Sequence, residues 1–209
     1  MKRKRNAKES KEAIIHKAVE LFSTKGYDST SMDELATESG LSKAMIFYYF
    51  KSKRELYEEV LCRVLDEIYE AVTKKSDTRL DALEELNDFI SIYIDFAYAH
   101  PYLPSLLLKE LSDNGSILPE ILFSKMRRLF SHFSEILSRG EADGSFRESK
   151  AMVLYFMITG TINLMVTTSE LRKRAYERDE TLDTCSDCSR ETLAQEIRDK
   201  IVSMLRSDS

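Results

Sequence analysis

Apolar residues recur along most of this chain at spacings of three and four, the mark of helices with one buried face. Residues 12–25 carry Ile14, Ala18, Leu21 and Phe22 in that rhythm and end at Lys25-Gly26-Tyr27. Met32, Leu35 and Ala36 form a short second face behind Ser31, and Ile46 marks a third over residues 43–49. A long helix is expected over 52–75, where Leu56, Val60, Val64, Ile68 and Val72 follow one another, until Ser76-Asp77-Thr78 breaks it. Residues 80–99 repeat the pattern with Leu83, Leu86, Ile90, Tyr93 and Ala97, and Pro101 disfavours helix at His100. A shorter helix over 102–111 stops at Asp113-Asn114-Gly115. Residues 118–139 follow, with Leu122, Met126, Leu129, Phe133, Ile136 and Leu137 inward, and 140–144 are expected to turn. The last helix, 190–205, has Leu193, Ile197, Ile201 and Met204 on one stripe. No stretch alternates with period two and no repeat is visible, so the predicted fold class is all-α.

Residues 151–169 break the amphipathic rule: nineteen residues carry no charge. That length raises the question of a membrane span. Seven polar or small residues (Thr159, Gly160, Thr161, Asn163, Thr167, Thr168 and Ser169) dilute its second half, and no other segment resembles a span. A helix apolar all round is instead expected to be buried on both sides, one face on its own core and the other on a second subunit.

The most structured signals lie between residues 30 and 50. Ser31 with Glu34 has the spacing of a capping box, Gly40 sits where a helix ends best in a left-handed residue, and Ser42 is placed to cap the next helix. Small Ala36, turn glycine Gly40 and apolar Leu41 and Ile46 are what two steeply crossing helices need. A second capping box, Ser52 to Glu55, opens the long helix. Short helical hairpins are common in all-α domains, so the stretch alone also fits a hairpin without nucleic-acid function.

Taken with its flanks, ELFSTKGYDSTSMDELA and SGLSKAMIFYYFKSKREL, the run of residues 13–61 closely resembles the DNA-binding domain of TetR-family transcriptional regulators. One departure is visible: the family often has Gly-Thr or Gly-Ala after the Ser-Lys pair, whereas Ala44-Met45 stands here, which alters the surface offered to bases. The resemblance implies an N-terminal three-helix helix-turn-helix domain and a larger helical domain for ligand binding and dimerisation. The division expected is a basic flexible arm at 1–9, a DNA-binding domain at 10–56 with its motif at about 31–50, and an effector-binding and dimerisation domain at 57–209. It further implies a homodimer joined through the helices at about 148–169 and 190–205. Two reading heads about one helical turn apart would multiply affinity and specificity.

Charge sharpens the picture. The 209 residues carry a net −5, unpromising for a DNA binder if evenly spread. Residues 1–60, however, hold twelve Lys/Arg against ten Asp/Glu, and residues 1–17 hold seven against two, mostly Lys2-Arg3-Lys4-Arg5. Phosphate attraction acts within a Debye length, so the local balance governs. The arm reads either as a contact to backbone or minor groove or as a solvated terminus. No apolar stretch follows it as a signal peptide would require. Three cysteines, Cys62, Cys185 and Cys188, fit a reducing cytoplasm better than a disulfide scaffold. The Cys185-x-x-Cys188 pair lacks a second ligand pair for zinc, so loop cysteines are the expectation. No metal and no cofactor are expected.

The expected DNA contacts centre on the second motif helix. Lys43 is a candidate for guanine acceptors or for phosphate, beside Ser42 and Ala44 at the helix start, while Met45 and Phe47 are placed for thymine methyls. Thr30, Tyr48, Tyr49, Lys51 and Lys53 resemble the family's phosphate-clamp positions, with packing on the first helix the alternative for the tyrosines. Ile46 and Phe50 are expected in the core. For the effector pocket the candidates are Phe89, Tyr93, Phe96 and Tyr102, then Phe123, Met126 and Phe130, then Tyr155, Phe156, Thr159 and Asn163. Each alone is more often plain core. Together they favour an apolar pocket with hydroxyl and amide anchors for an organic, drug-like or lipid-like effector. Two other classes compete. An enzyme is disfavoured, because His16, His100 and His132 are scattered and no G-x-S-x-G or P-loop is present. A helical protein–protein adaptor that never touches DNA is the alternative to a ligand-responsive repressor.

Overall fold

The computed structural model describes residues 6–74, 81–101, 104–105, 107–108, 120–182 and 189–206. Among these residues there is no strand, and nine helices account for the regular structure: α1 (Ala7–Lys25), α2 (Met32–Ser39), α3 (Lys43–Tyr49), α4 (Lys53–Lys74), α5 (Ala82–Ala99), α6 (Glu120–Ala142), α7 (Ala151–Thr167), α8 (Ser169–Arg178) and α9 (Arg190–Leu205). The all-α expectation holds.

Two apolar cores organise the chain, and α4 belongs to both. The head core joins Ile14, Ala18 and Phe22 of α1 to Leu35 of α2, Ile46 of α3 and Leu56, Tyr57, Val60 and Leu61 of α4. The body core joins Ile68 and Val72 of α4 to Leu86, Phe89 and Ile90 of α5, Phe133 and Ile136 of α6, Leu154, Ile158 and Ile162 of α7, and Leu193, Ile197 and Ile201 of α9. One 22-residue helix is therefore fixed in the head at its start and in the body at its end. Leu122 of α6 reaches the head core as well, so the junction is packed rather than loosely linked.

Several boundaries differ from the sequence expectation, each for a local reason. Helix α1 begins at Ala7, not at residue 12. Asn6 accepts a hydrogen bond from the Glu9 amide (2.8 Å), and the Glu9 carboxylate accepts from the Asn6 amide (3.1 Å), a complete capping box. Residues 6–9 of the expected flexible arm thus belong to the helix start, while the basic run 1–5 lies outside the described residues. Helix α6 runs through Gly140, where a turn was expected. The Phe146 ring lies so close that a Cβ on residue 140 would come within 2.1 Å of it, so the glycine serves the returning chain and the helix continues. Helix α8 was not foreseen. It bends away from α7 by 63° and buries none of its residues. The expected helix at 102–111 falls largely outside the described residues, as do Tyr102, Cys185 and Cys188.

Helix α7 is half buried and half bare. Leu154, Ile158, Ile162 and Val166 enter the body core, while Val153, Phe156 and Leu164 are more than half exposed and Met152 and Met157 nearly so. Helix α9 has no such spare face: its apolar stripe packs inward, largely on α5, and Glu191, Gln195, Glu196 and Asp199 face out. Among the described residues no single helix is long and apolar enough to cross a membrane, although the bent pair of α7 and α8 has the length and composition.

Candidate nucleic-acid interface and regulatory core

The motif is assembled by short-range hydrogen bonds. Ser31 Oγ accepts from the Glu34 amide (3.1 Å), and Ser42 Oγ accepts from the Met45 amide (3.2 Å), so each helix start has one orphan donor satisfied. The Glu34 carboxylate does not turn back to close the first capping box; it pairs with Lys25 of α1 and ties α2 to its neighbour. Between the helices, Gly40 adopts φ +66°, and the amides of Gly40 and Leu41 donate to the carbonyls of Thr37 (3.2 Å) and Ala36 (3.1 Å). This closes α2 as a left-handed helix cap does.

The result is a seven-residue helix with one buried anchor and an open outer face. Ile46 is fully buried, and Phe50 just beyond it is 2% exposed, both as expected. Ser42, Lys43, Ala44, Met45 and Phe47 are exposed, and Tyr48 is 82% exposed. Tyr49 is half-buried against the head core, its ring edge-on to Tyr48 at 5.2 Å. Lys43 reaches Asp33 of α2 at 2.9 Å, which holds the ammonium at the mouth of the helix pair. Lys51 is exposed beside the start of α4, and its amide donates to the Glu55 carboxylate (2.9 Å) while Ser52 Oγ accepts from the Glu55 amide (3.1 Å).

Two of the clamp residues are placed differently from the expectation. Thr30 is 1% exposed: its hydroxyl donates to the Gly26 carbonyl (2.9 Å) and its amide to the Tyr27 carbonyl (3.2 Å), so the residue closes the loop before α2 and offers nothing to an outside partner. Lys53 folds back over the Tyr27 ring, 4.3 Å from its centroid, and donates to the carbonyls of Tyr27 (2.9 Å), Thr30 (3.1 Å) and Asp28 (3.3 Å). An ammonium with three donors is saturated there, so Lys53 is a strut between α4 and the loop before α2.

In the body, part of the aromatic set comes together. Tyr155 lies 5.5 Å from Phe130, 5.5 Å from Phe133 and 6.5 Å from Phe89, and Phe89 stacks on Tyr93 at 6.2 Å. The Tyr93 hydroxyl donates to Asn163 Oδ1 (3.3 Å) across α5 and α7. Burial pushes the Tyr93 phenol up to about 12, against a smaller opposing effect of the Asn163 bond. Burial likewise pushes the Tyr155 phenol far up, and the nearby Tyr93 adds to it. These rings are therefore neutral hydrogen-bonding groups in an apolar setting. Thr159 donates to its own helix, to the Tyr155 carbonyl at 2.8 Å.

Phe156, 53% exposed, touches the cluster only from outside, edge-on to Tyr155 at 5.8 Å. Three other candidates do not join it: Phe123 is 53% exposed, Met126 packs on the head core, and Phe96 lies against His100 at 4.5 Å beside the body core. Glu85, 3% exposed, is ion-paired with Arg139 across α5 and α6, a buried tie that no sequence pattern announced. Among the described residues no group of His, Cys, Asp and Glu is disposed to hold a metal ion.

Comparison with known proteins finds two family models along the chain. Residues 14–60 match the family model of bacterial regulatory proteins of the tetR family, and residues 83–202 match the tetracyclin repressor-like C-terminal domain. The chain is 27% identical over 157 residues to the HTH-type transcriptional regulator RutR of Escherichia coli K12, covering 75% of this chain and 74% of RutR. It is 27% identical over 139 residues to the HTH-type transcriptional repressor KstR2 of Mycolicibacterium smegmatis, covering 66% and 67% of the two chains. Its fold is similar to that of the transcriptional regulator FadR of Bacillus subtilis, solved in complex with stearoyl-CoA. There the TM-score is 0.72 at 22% identity, over 92% of this chain and 98% of FadR. With both family models matched in order along it, the chain belongs to the TetR family of DNA-binding transcriptional regulators.

Proposed function

We propose that this regulator is a homodimeric repressor that binds a palindromic operator and is released by a small apolar organic effector. The observation that carries the DNA reading is the outer face of α3. Seven residues hold one buried anchor while a cation, a methionine, a phenylalanine and a tyrosine remain in water. A helix that short is not stabilised by leaving Phe47 and Tyr48 bare, whereas a groove accepts both kinds of group: Lys43 for guanine or phosphate oxygens, the apolar side chains for thymine methyls and sugar. Lys51 is the phosphate contact on this reading. The adaptor alternative has no comparable observation in its favour.

The dimer reading rests on α7, whose exposed Val153, Phe156, Met157 and Leu164 form a continuous uncharged stripe. The other half of the expected joint, α9, would contribute polar contacts at its edge. The effector reading rests on the Phe89–Phe130–Tyr155 cluster with the Tyr93–Asn163 pair as its polar anchor, and the stearoyl-CoA bound by FadR is in keeping with an apolar ligand. Since α4 is built into both cores, a ligand preferring one tilt of α4 would change the separation of the two heads. Such coupling needs differential affinity for the two states, typically about 1–3 kcal/mol. A cytoplasmic site of action goes with this function, and no enzymatic step is part of it.

The test is binding of the full chain to the DNA upstream of its own gene, followed by fluorescence anisotropy at rising salt. A sequence-specific complex whose affinity falls steeply with salt is expected. Equal affinity for random DNA sinks the operator reading.

A further inference from the structure

Where α1 crosses α4, beneath the end of α5, lies a cleft of about 740 Å³. Its floor is apolar: Ile15 and Val64 are each 3% exposed, and Val19 and Pro101 complete it. Its rim carries three carboxylates, Glu12, Glu20 and Glu67, against the single guanidinium of Arg63, with the imidazoles of His16 and His100 also lining the space. Arg63 is shared between Glu12 (2.6 Å) and Glu67 (3.3 Å), and Lys17 meets Glu20 at 2.6 Å from outside the lining. Neither cation is left over to receive an anion, while the carboxylates outnumber the cation that lines the space.

We propose that this cleft binds a lipophilic cation, as a ligand site at the junction of head and body that is separate from the aromatic cluster. The volume lies within the range of small-molecule sites, which are mostly apolar with a few polar groups at the edge. An apolar body covers Ile15, Val19 and Val64, and a positive charge near the rim is attracted by carboxylates across a partly desolvated gap. An anion of the same shape meets repulsion from the same groups. The occupant touches α1 on one side and α4 with the end of α5 on the other, so it grips two parts whose relative angle α4 controls. Only that last consequence rests on the regulator reading; the binding does not.

The experiment uses tetraphenylphosphonium and tetraphenylborate, nearly identical in shape and opposite in charge, titrated calorimetrically into the full chain. The phosphonium is expected to bind at least about tenfold more tightly than the borate. Val19→Trp fills the floor and should weaken phosphonium binding by about tenfold or more, whereas Phe130→Ala in the aromatic cluster should change it less than roughly twofold. The chain has no tryptophan, so emission from V19W itself reports whether that variant is folded. Glu20→Lys, on the exposed side of α1, tests the charge independently and should reverse the preference. Absence of saturable phosphonium binding, equal affinity for the two ions, or loss in F130A with retention in V19W each overturns the proposal. A chain that binds phosphonium as described yet prefers no DNA sequence supports this site and refutes the operator reading instead.

Discussion

Helices α3 and α7 each leave a row of large side chains uncovered, and the two rows differ in chemistry. On α3 the bare face mixes Ser42, Lys43 and Tyr48 with Met45 and Phe47 around one buried isoleucine. On α7 the bare face holds Val153, Phe156, Met157 and Leu164, with no charge along the whole helix. A charged, hydrogen-bonding partner suits the first, because phosphates and base edges replace the water that Lys43 and Tyr48 give up. Only another apolar surface suits the second, since any polar partner would be stripped of water without return. Exposure alone does not distinguish the two faces; the chemistry of the exposed row does, and the proposed roles of α3 and α7 rest on it.

The largest break in this contrast is a charge on α7. Phe156→Arg should abolish the dimer, because a buried unpaired charge costs about 3–5 kcal/mol and the change occurs twice across a twofold joint. Sedimentation velocity over a range of concentrations reads the result. A variant that remains dimeric removes α7 from the interface. Operator affinity should fall with it, since each head alone holds only half a site.

On α3 the matching changes leave the dimer intact. Lys43→Ala should weaken operator binding by about 1–3 kcal/mol per head and relax preference at one base-pair position if the ammonium reads guanine. Lys51→Ala should weaken all sequences alike and lower the salt slope by about one per head. Equal behaviour of the two variants would mean that Lys43 is a phosphate contact only. Because Lys43 already pairs with Asp33, Asp33→Asn tests whether that carboxylate orients it.

Two glycines extend the comparison from faces to folding. Gly140→Ala drives a methyl into the Phe146 ring and should cost about 1–3 kcal/mol in urea unfolding. Gly40→Ala meets no atom within 4 Å but must hold φ +66°, at a cost of about 1–2 kcal/mol, and Gly40→Asn should recover part of it. The body glycine is needed for space, the head glycine for its backbone.

The smallest effect at neutral pH concerns Tyr93. Its folded-state pKa of about 12 stands above the ordinary value of 10.0, so the neutral phenol is favoured by folding. That contribution is complete below pH 10 and is lost as pH rises towards 12. Tyr93→Phe should flatten the alkaline limb of the stability profile, measured by urea denaturation between pH 8 and 11. An unchanged limb would mean that another group governs it.

The head was legible in the sequence because its determinants are local. Ser31, Gly40, Leu41, Ser42 and Ser52 act on amides and carbonyls within a few residues, and the serines cap as their spacing announced, although the Glu34 carboxylate turns to Lys25 and that of Glu55 to the Lys51 amide instead of closing the boxes. What escaped was direction. A lysine poised for phosphate and one bent back onto three carbonyls look alike as letters, and Lys53 proved to be the second. Thr30 was hidden by the same ambiguity. The capping box of Asn6 and Glu9 was in plain view but stood next to a basic run that drew the reading toward a flexible arm. In the body, aromatic residues at helical spacing do not say which face is spare, so Phe133 is buried and Phe156 bare on similar patterns. Helix α8 left no apolar rhythm to detect, because it packs no side chain inward.

The Lys53 strut has a mechanical consequence. It fastens the first turn of α4 to the loop ahead of α2, so the two are tied to move together. Helix α4 is 22 residues, roughly 33 Å of lever at 1.5 Å per residue, so pivoting about its far end moves the near end by roughly 0.6 Å per degree. Ten degrees of rotation would carry the reading surface about 6 Å, nearly two base-pair steps along a duplex at about 3.4 Å each. A modest angle is thereby geared up into a loss of register.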